Sequence, residues 1–273
     1  MSTVQKESHQ SWYGWMPDLP DARDHMYAAP PPVVAKLPPK ADLAAGFPVV
    51  YDQGALGSCT GNAISAAFEF DRLKQGIGAK AWIPSRLFIY YNERAMEGTI
   101  QSDSGAMIRD GIKSIAKQGV CSETTWPYKI NDFRDKPSKS AFTEAKRNQA
   151  LSYSRVARTL SEMKGCLASG YPFVFGFTVY DSFESQAVAK SGVVPMPSPA
   201  TEKVLGGHAV VAVGYDDATQ RFKVRNSWGT NWGMKGYFTM PYAYLLDGNL
   251  ADDFWTIRVV EDPKKKATAR KRK

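Results

Sequence analysis

The chain has 273 residues, of which 43% are hydrophobic and 23% charged. That is enough for one large domain or two small lobes, and it is far from disordered, collagen-like or coiled-coil compositions. The formal net charge of +8 comes from one end: Lys264, Lys265, Lys266, Arg270, Lys271, Arg272 and Lys273 supply seven of the 35 basic residues, and the other 28 nearly balance 27 acidic ones. A near-neutral body argues against a nucleic-acid-binding protein. The plainer reading of residues 263–273 is a solvated, disordered tail, with unspecific contact to nucleic acid or another anion as the less favoured alternative.

The first ten residues are polar, without the charged-then-apolar pattern of a secretory signal. The expectation is a cytoplasmic or non-classically exported protein. The longest apolar stretch, 171–179, is too short to span a bilayer and contains Pro172, so no membrane span is expected. The three cysteines, Cys59, Cys121 and Cys166, are too few and odd in number for a disulfide framework. They suit a reducing compartment or a thiol kept free for chemistry.

Residues 1–36 form a leader. Trp12, Tyr13, Trp15 and Met16 cluster ahead of Pro17 and Pro20, and Pro30-Pro31-Pro32 follows. Prolines at this density favour extended backbone and oppose helix, so the leader is expected to lie along a surface. A domain is expected over 37–262. Ser58 or Cys59 opens a helix reaching about Lys74, with Ala63, Ile64, Ala67 and Phe68 on one face and Gly76 as its stop. Further helices are expected over 84–95, with Pro84 in the first turn, over 105–117, and over 161–168. Strands rich in Val, Phe, Tyr and Trp then follow at 173–179, 209–215, 222–227, 237–240 and 255–259. Helices first and strands second describe an α+β fold of two lobes.

The chemistry gathers around Cys59. A thiol attacks as thiolate, and a helix N-terminus with a neighbouring imidazole lowers its pKa. His9 and His25 lie in the leader, leaving His208 as the only histidine of the body. Gly206 and Gly207 before it open a strand that a substrate backbone can approach closely. Asn226, 18 residues later, comes beside His208 if the two strands form a hairpin, and its amide then orients the ring without adding charge. Charge developing on a carbonyl oxygen needs two donors: the Cys59 backbone N–H and the side-chain amide of Gln53, six residues earlier. Cys121 and Cys166 read as small core residues.

The segment from Gln53 to Cys59, Gly207-His208-Ala209-Val210, and the run from Asn226 through Trp228 to Gly233 resemble, in that order, the nucleophile, histidine and asparagine segments of papain-like cysteine peptidases. The interval of 149 residues from Cys59 to His208 agrees with that family. The resemblance covers about 37–260. It implies a papain-like two-lobe fold with a helical N-terminal lobe, an antiparallel β-barrel-like C-terminal lobe and a site in the cleft between them. Ser104 and Gly105 resemble the segment that pairs with bound peptide. Trp126-Pro127-Tyr128 resembles a marker between the lobes, and Trp228 is core packing, a lid over the His208–Asn226 bond, or both.

Two departures stand out: Leu56 occupies a usual disulfide position, and Thr60 occupies one usually held by an aromatic at the floor of the cleft. The leader is also shorter than the helical pro-segments of the family.

The expected activity is endopeptidase hydrolysis of protein or peptide substrates by a Cys59–His208 pair held by Asn226. Gln53 and the Cys59 N–H form the oxyanion hole, and Ser104, Gly105, Gly207 and Trp228 meet substrate. No cofactor or metal is expected, and a monomer is expected. Residues 1–36 are expected to lie along the cleft as an inhibitory segment, with the 12–16 cluster in a pocket. A transglutaminase-like enzyme, expected to carry Asp in place of Asn226, and a catalytically silent binding module of the same fold remain as alternatives.

Overall fold

The computed structural model describes residues 13–77 and 82–263. Trp12 and the basic tail from Lys264 onward, on which two of the expectations fall, lie outside the described residues.

The leader opens with β1 (Trp15–Met16) and carries α1 (Pro31–Val34). This short helix was not expected of so proline-rich a strip. It forms because proline in a first turn loses no hydrogen bond and already has a helical φ. It packs on α6 (Leu160–Ala168), where Gly165 lets Ala29 come close.

The first lobe is helical. Its axis is α2 (Cys59–Lys74), buried from Cys59 through Arg72, and flanked by α3 (Arg86–Glu97) and α4 (Ile108–Lys117). The Ser85 hydroxyl accepts the Phe88 N–H at 3.1 Å, so α3 starts two residues after Pro84, and it ends on Gly98 in the left-handed region. Residues 105–107 are not helical, contrary to expectation. Gly105 has a φ of 75°, which a helix cannot use, and β3 (Ala106–Met107) pairs in parallel with β1. The lobe is completed by α5 (Lys139–Ala145).

The second lobe is a seven-stranded antiparallel sheet. Along its main path lie β4 (Ala150–Arg155), β9 (Ala251–Val260), β5 (Phe173–Tyr180), β6 (Val204–Asp216), β7 (Arg221–Arg225) and β8 (Tyr237–Pro241), and β2 (Lys40–Asp42) also pairs with β6. Among the described residues the sheet is open and no closed barrel forms. Short helices α7 (Gln186–Ser191) and α8 (Tyr242–Leu246) sit in its connections. Strand β6 runs five residues further upstream than expected, because Gly206 and Gly207 continue its ladder opposite Val179 and Thr178. Strand β7 stops at Arg225, which leaves Asn226 and Ser227 outside the ladder.

Among the described residues two large cores result, one wrapping α2, α3 and α4 and taking in Trp255 and Ile257, the other filling the sheet around Phe173, Phe175, Phe177 and Phe238, with a small third cluster of Leu56, Leu87, Tyr90 and Ala106. Cys121 and Cys166 are free thiols within them. The architecture is α+β with two lobes. Among the described residues no helix is long and apolar enough to cross a membrane.

Candidate active site

Cys59 is the first residue of α2, where unsatisfied backbone N–H groups and the helix dipole favour negative charge. The loop before it is fixed from several sides. Leu56 is buried beside Leu87, Tyr90 and Ala106, so apolar packing does there what a disulfide does elsewhere. The Gln53 Nε2 donates to the Leu56 carbonyl at 2.9 Å, and its Oε1 accepts the Ser227 hydroxyl at 2.6 Å. The Tyr128 hydroxyl donates to the Gln53 carbonyl at 2.8 Å and lies 2.6 Å from the Ser58 hydroxyl. Arg86 stacks on Tyr128 and Tyr51 and donates to the Asp52 carbonyl at 3.0 Å. Gln53 and the nucleophile segment are thereby tied to both lobes.

His208 lies on β6 opposite Phe177. Its Nε2 is 2.8 Å from Asn226 Oδ1, which also accepts the Ser227 N–H at 2.8 Å. An oxygen accepting from a backbone N–H must accept from the ring as well, so Nε2 carries the proton. That leaves Nδ1 as the basic nitrogen, buried and, among the described residues, with no hydrogen-bond partner. Trp228 stacks on the imidazole at 4.9 Å and 28°, shielding the His208–Asn226 bond from water, while it packs on Phe183 and Trp232. The next residue along β6, Ala209, donates its N–H to Cys59 Sγ at 3.3 Å. Residues from two lobes and far apart in the chain thus meet: Cys59, His208, Asn226 and Gln53 form one constellation.

Thr60 is the departure that lands elsewhere than expected. It is fully buried, donates to the Glu93 carboxyl of α3 at 2.8 Å, and contributes to helix packing rather than to the cleft floor.

The leader meets this constellation through its backbone. The Gly14 N–H donates to the Gly207 carbonyl at 3.0 Å, and its carbonyl accepts the Ala106 N–H at 2.7 Å, so one glycine bridges the two lobes. A Cβ on Gly105 would overlap the Gly14 carbonyl, and one on Gly207 would come within 2.5 Å of the Trp15 carbonyl oxygen. These two glycines are needed for close approach. Ser104 turns away from the leader: its hydroxyl lies 2.9 Å from Thr99 Oγ1, to which it donates, and 3.1 Å from the Gly105 carbonyl. Tyr13 meets His208 edge-on at 6.1 Å and Trp228 at 6.4 Å, and its hydroxyl donates to Glu184.

Covered in this way, the thiol and the imidazole are driven to their neutral forms. Burial pushes the Cys59 thiol up to about 12; the Ala209 and Gly14 backbones oppose the shift and the Glu93 carboxyl adds to it. Burial pulls the His208 imidazole down to about 4, and the Asn226 hydrogen bond opposes that shift.

Several residues around the site were not singled out from sequence. Gly14, Asp18, Gly176 and Asp253 hold the leader; Tyr128, expected only as part of a marker between the lobes, and Ser227, expected only as part of the asparagine segment, hold Gln53. A glycine between two aromatics and the pair Asp252-Asp253 in a strand were the only local signals. Among the described residues no group of three or more His, Cys, Asp or Glu side chains is placed to hold a metal ion.

The sequence matches the papain family of cysteine proteases over residues 42–245. An uncharacterized peptidase C1-like protein of Acanthamoeba polyphaga mimivirus is 50% identical over 220 residues, covering 78% of this chain and 70% of the viral one. A cathepsin B-like protein of Giardia intestinalis is 30% identical over 71% of this chain and 64% of its own length. The chain thus spans about two thirds of the length of these relatives. Among solved structures, xylellain, a cysteine protease from Xylella fastidiosa, superposes with a TM-score of 0.88 at 47% identity, over 95% of this chain and all of that one. A procathepsin B from Trypanosoma congolense, at 21% identity and a TM-score of 0.68, shares the fold. With the matched segment, the two-lobe fold and the cysteine–histidine–asparagine constellation in agreement, the chain belongs to the papain family of cysteine proteases.

Proposed function

We propose that the protein is a cysteine endopeptidase whose nucleophile is Cys59, whose base is His208 and whose ring-orienting residue is Asn226, held inactive by its own leader. The observation that carries the reading is the pairing across the lobes. The residue after His208 donates to Cys59 Sγ at 3.3 Å, while Asn226 occupies Nε2 and leaves Nδ1 as the basic nitrogen. Once the site is open to water, the Cys59 proton passes to Nδ1 and a thiolate–imidazolium pair forms. The thiolate sulfur attacks the substrate carbonyl carbon. The oxyanion is met by the Cys59 N–H and the Gln53 amide. The tetrahedral intermediate collapses, the C–N bond breaks, and the proton from His208 leaves on the amine. Water then gives a proton back to His208, attacks the thioester and releases the acid and the thiol. Gly105 and Gly207 accept the substrate backbone where Gly14 lies, and Trp228 shields the imidazole–amide bond.

On this reading residues 1–36 are an inhibitory segment, 37–262 the peptidase domain and 263–273 a tail. Gly14 occupies the backbone positions a substrate needs. Its presence leaves the nucleophile as a buried thiol, because neither charge of the active pair is hydrated. The test is turnover of a peptide mixture by the full chain, the Cys59→Ala variant and a chain lacking residues 1–36, with the leader peptide added back. Activity is expected to rise on leader removal, fall on adding the peptide and vanish in Cys59→Ala. Retained turnover in Cys59→Ala rejects the nucleophile, and equal rates with and without the leader reject the inhibition.

A further inference from the structure

Leu56 is held by apolar packing, which has no direction, whereas the loop that enters α2 needs one. The next residue supplies it. The Gly57 N–H donates to both carboxylate oxygens of Asp103, at 3.1 Å to Oδ1 and 2.9 Å to Oδ2. A Cβ on residue 57 would stand 3.0 Å from Oδ1, so glycine is what lets the two meet. The Gly57 carbonyl is left for the cleft, where it lies against Gly14.

The same carboxylate reaches a second element. Asp103 Oδ1 accepts the hydroxyl of Tyr90, a fully buried residue of α3. A phenol has one proton, so with that proton given to Asp103 the Tyr90 oxygen accepts the Gly105 N–H, at 3.1 Å. Burial, and then the adjoining Asp103, pushes the Tyr90 phenol up, which keeps the proton in place. One helical turn on, Arg94 stacks on Tyr90 at 4.1 Å and donates to the carbonyls of Ile100 at 2.7 Å and Ser102 at 3.2 Å. The loop that carries Asp103 is thus fastened to the same face of α3.

We infer that Asp103 is a positioning residue of the peptidase: with Tyr90 as its relay, it sets the spacing between the nucleophile loop at Gly57 and the backbone edge Gly105-Ala106 that pairs with bound peptide. The inference rests on the peptidase reading above. The leader displays the pairing, since the Ala106 N–H donates to the Gly14 carbonyl at 2.7 Å. Asp103 acts through Gly57 and Tyr90, not on the reacting atoms. A carboxylate suits the task because both of its oxygens accept, and a charged acceptor holds its donors more tightly than a neutral one.

The test uses the full chain carrying Gly14→Val, which dislodges the leader because a Cβ there overlaps the Gly57 carbonyl. Turnover of a peptide substrate is compared with alkylation of Cys59 by iodoacetamide, a reagent too small to need the 105–106 edge. Adding Asp103→Ala is expected to lower kcat/KM about tenfold or more, the worth of a hydrogen bond to a charged acceptor, chiefly by raising KM. The alkylation rate is expected to stay within about twofold. Asp103→Asn keeps one acceptor oxygen and is expected to recover most of the loss. Tyr90→Phe removes the relay and is expected to raise KM in the same way. The double variant with Asp103→Ala is expected to lose far less than the product of the two single losses, because the two side chains act as a unit. An unchanged kcat/KM in Asp103→Ala overturns the positioning, and so does alkylation that falls in step with kcat/KM, which marks a merely structural role. If Asp103→Ala does not fold, an unchanged KM in Tyr90→Phe overturns it instead. These outcomes leave the peptidase standing; a folded Gly14→Val chain with Asp103 intact that cuts no peptide overturns both.

Discussion

Residues 13–16 and residues 18–24 adjoin in the leader but are held by different forces. The first stretch is held by shape. Gly14 lies between Gly105, Ala106 and Gly207, and Trp15 fills a slot over Gly176, with two backbone hydrogen bonds and one indole bond. The second is held by charge. Asp24 pairs with Arg109 at 2.6 Å with both side chains under 10% exposed; Asp18 accepts from the Arg109 N–H at 3.0 Å and from Trp255 at 2.9 Å; Asp21 reaches Lys113 at 3.3 Å. Shape contacts lie over the reacting groups and charge contacts lie away from them. One stretch covers the site and the other anchors the cover, so each can be broken separately.

The largest effect is expected at the nucleophile: Cys59→Ala lowers turnover of a leader-free or Gly14→Val chain by about 10^4-fold or more, while circular dichroism is unchanged. Next comes the shape contact. Gly14→Val forces a side chain against backbone at a cost of ~1–3 kcal/mol, which raises full-chain turnover by about tenfold or more. The charge contact follows. Arg109→Ala removes the guanidinium that pairs with the buried Asp24 and donates to the Leu19 carbonyl, and the loss of about 3 kcal/mol of anchoring appears as faster limited proteolysis between residues 13 and 36.

Alkylation of Cys59 measures the cover directly. With the thiol pushed up to about 12 by burial, the covered form carries almost no thiolate at pH 8, and its alkylation rate is expected to keep rising with pH well into the alkaline range. In Gly14→Val the onset is expected to shift to lower pH, because hydration stabilises the thiolate; an unchanged profile breaks the link between burial and silence. The smallest effect is at Arg23, whose side chain is 88% exposed and pairs with Asp21 within the leader itself. Arg23→Ala should leave both proteolysis and turnover unchanged.

What could be read without coordinates follows from where each signal lies. Helix α2 announces itself by a small-residue entry and an apolar face, and the strands by runs of Val, Phe and Tyr, because burial period and turn chemistry are local. Leu56 foretold packing in place of a disulfide. The expectation over 105–117 failed at its start: a helical pattern cannot reveal that residues 106–107 pair with a strand from the leader. The resemblance places an aromatic of the cleft floor at position 60, yet successive helix residues point about 100° apart, and Thr60 turns to Glu93.

By itself, the order of residues determined the family and the two-lobe division, and it pointed to the proposed set Cys59, His208, Asn226 and Gln53, because that chemistry demands particular side chains at a recognisable spacing. Tertiary structure alone decided which leader residues cover them. Gly14, Trp15 and Asp18 act through Gly105, Gly207, Gly176, Asp253 and Arg109, partners about 90 to 240 residues away in the chain, and contacts formed by backbone approach and buried charge leave no period or motif in the sequence.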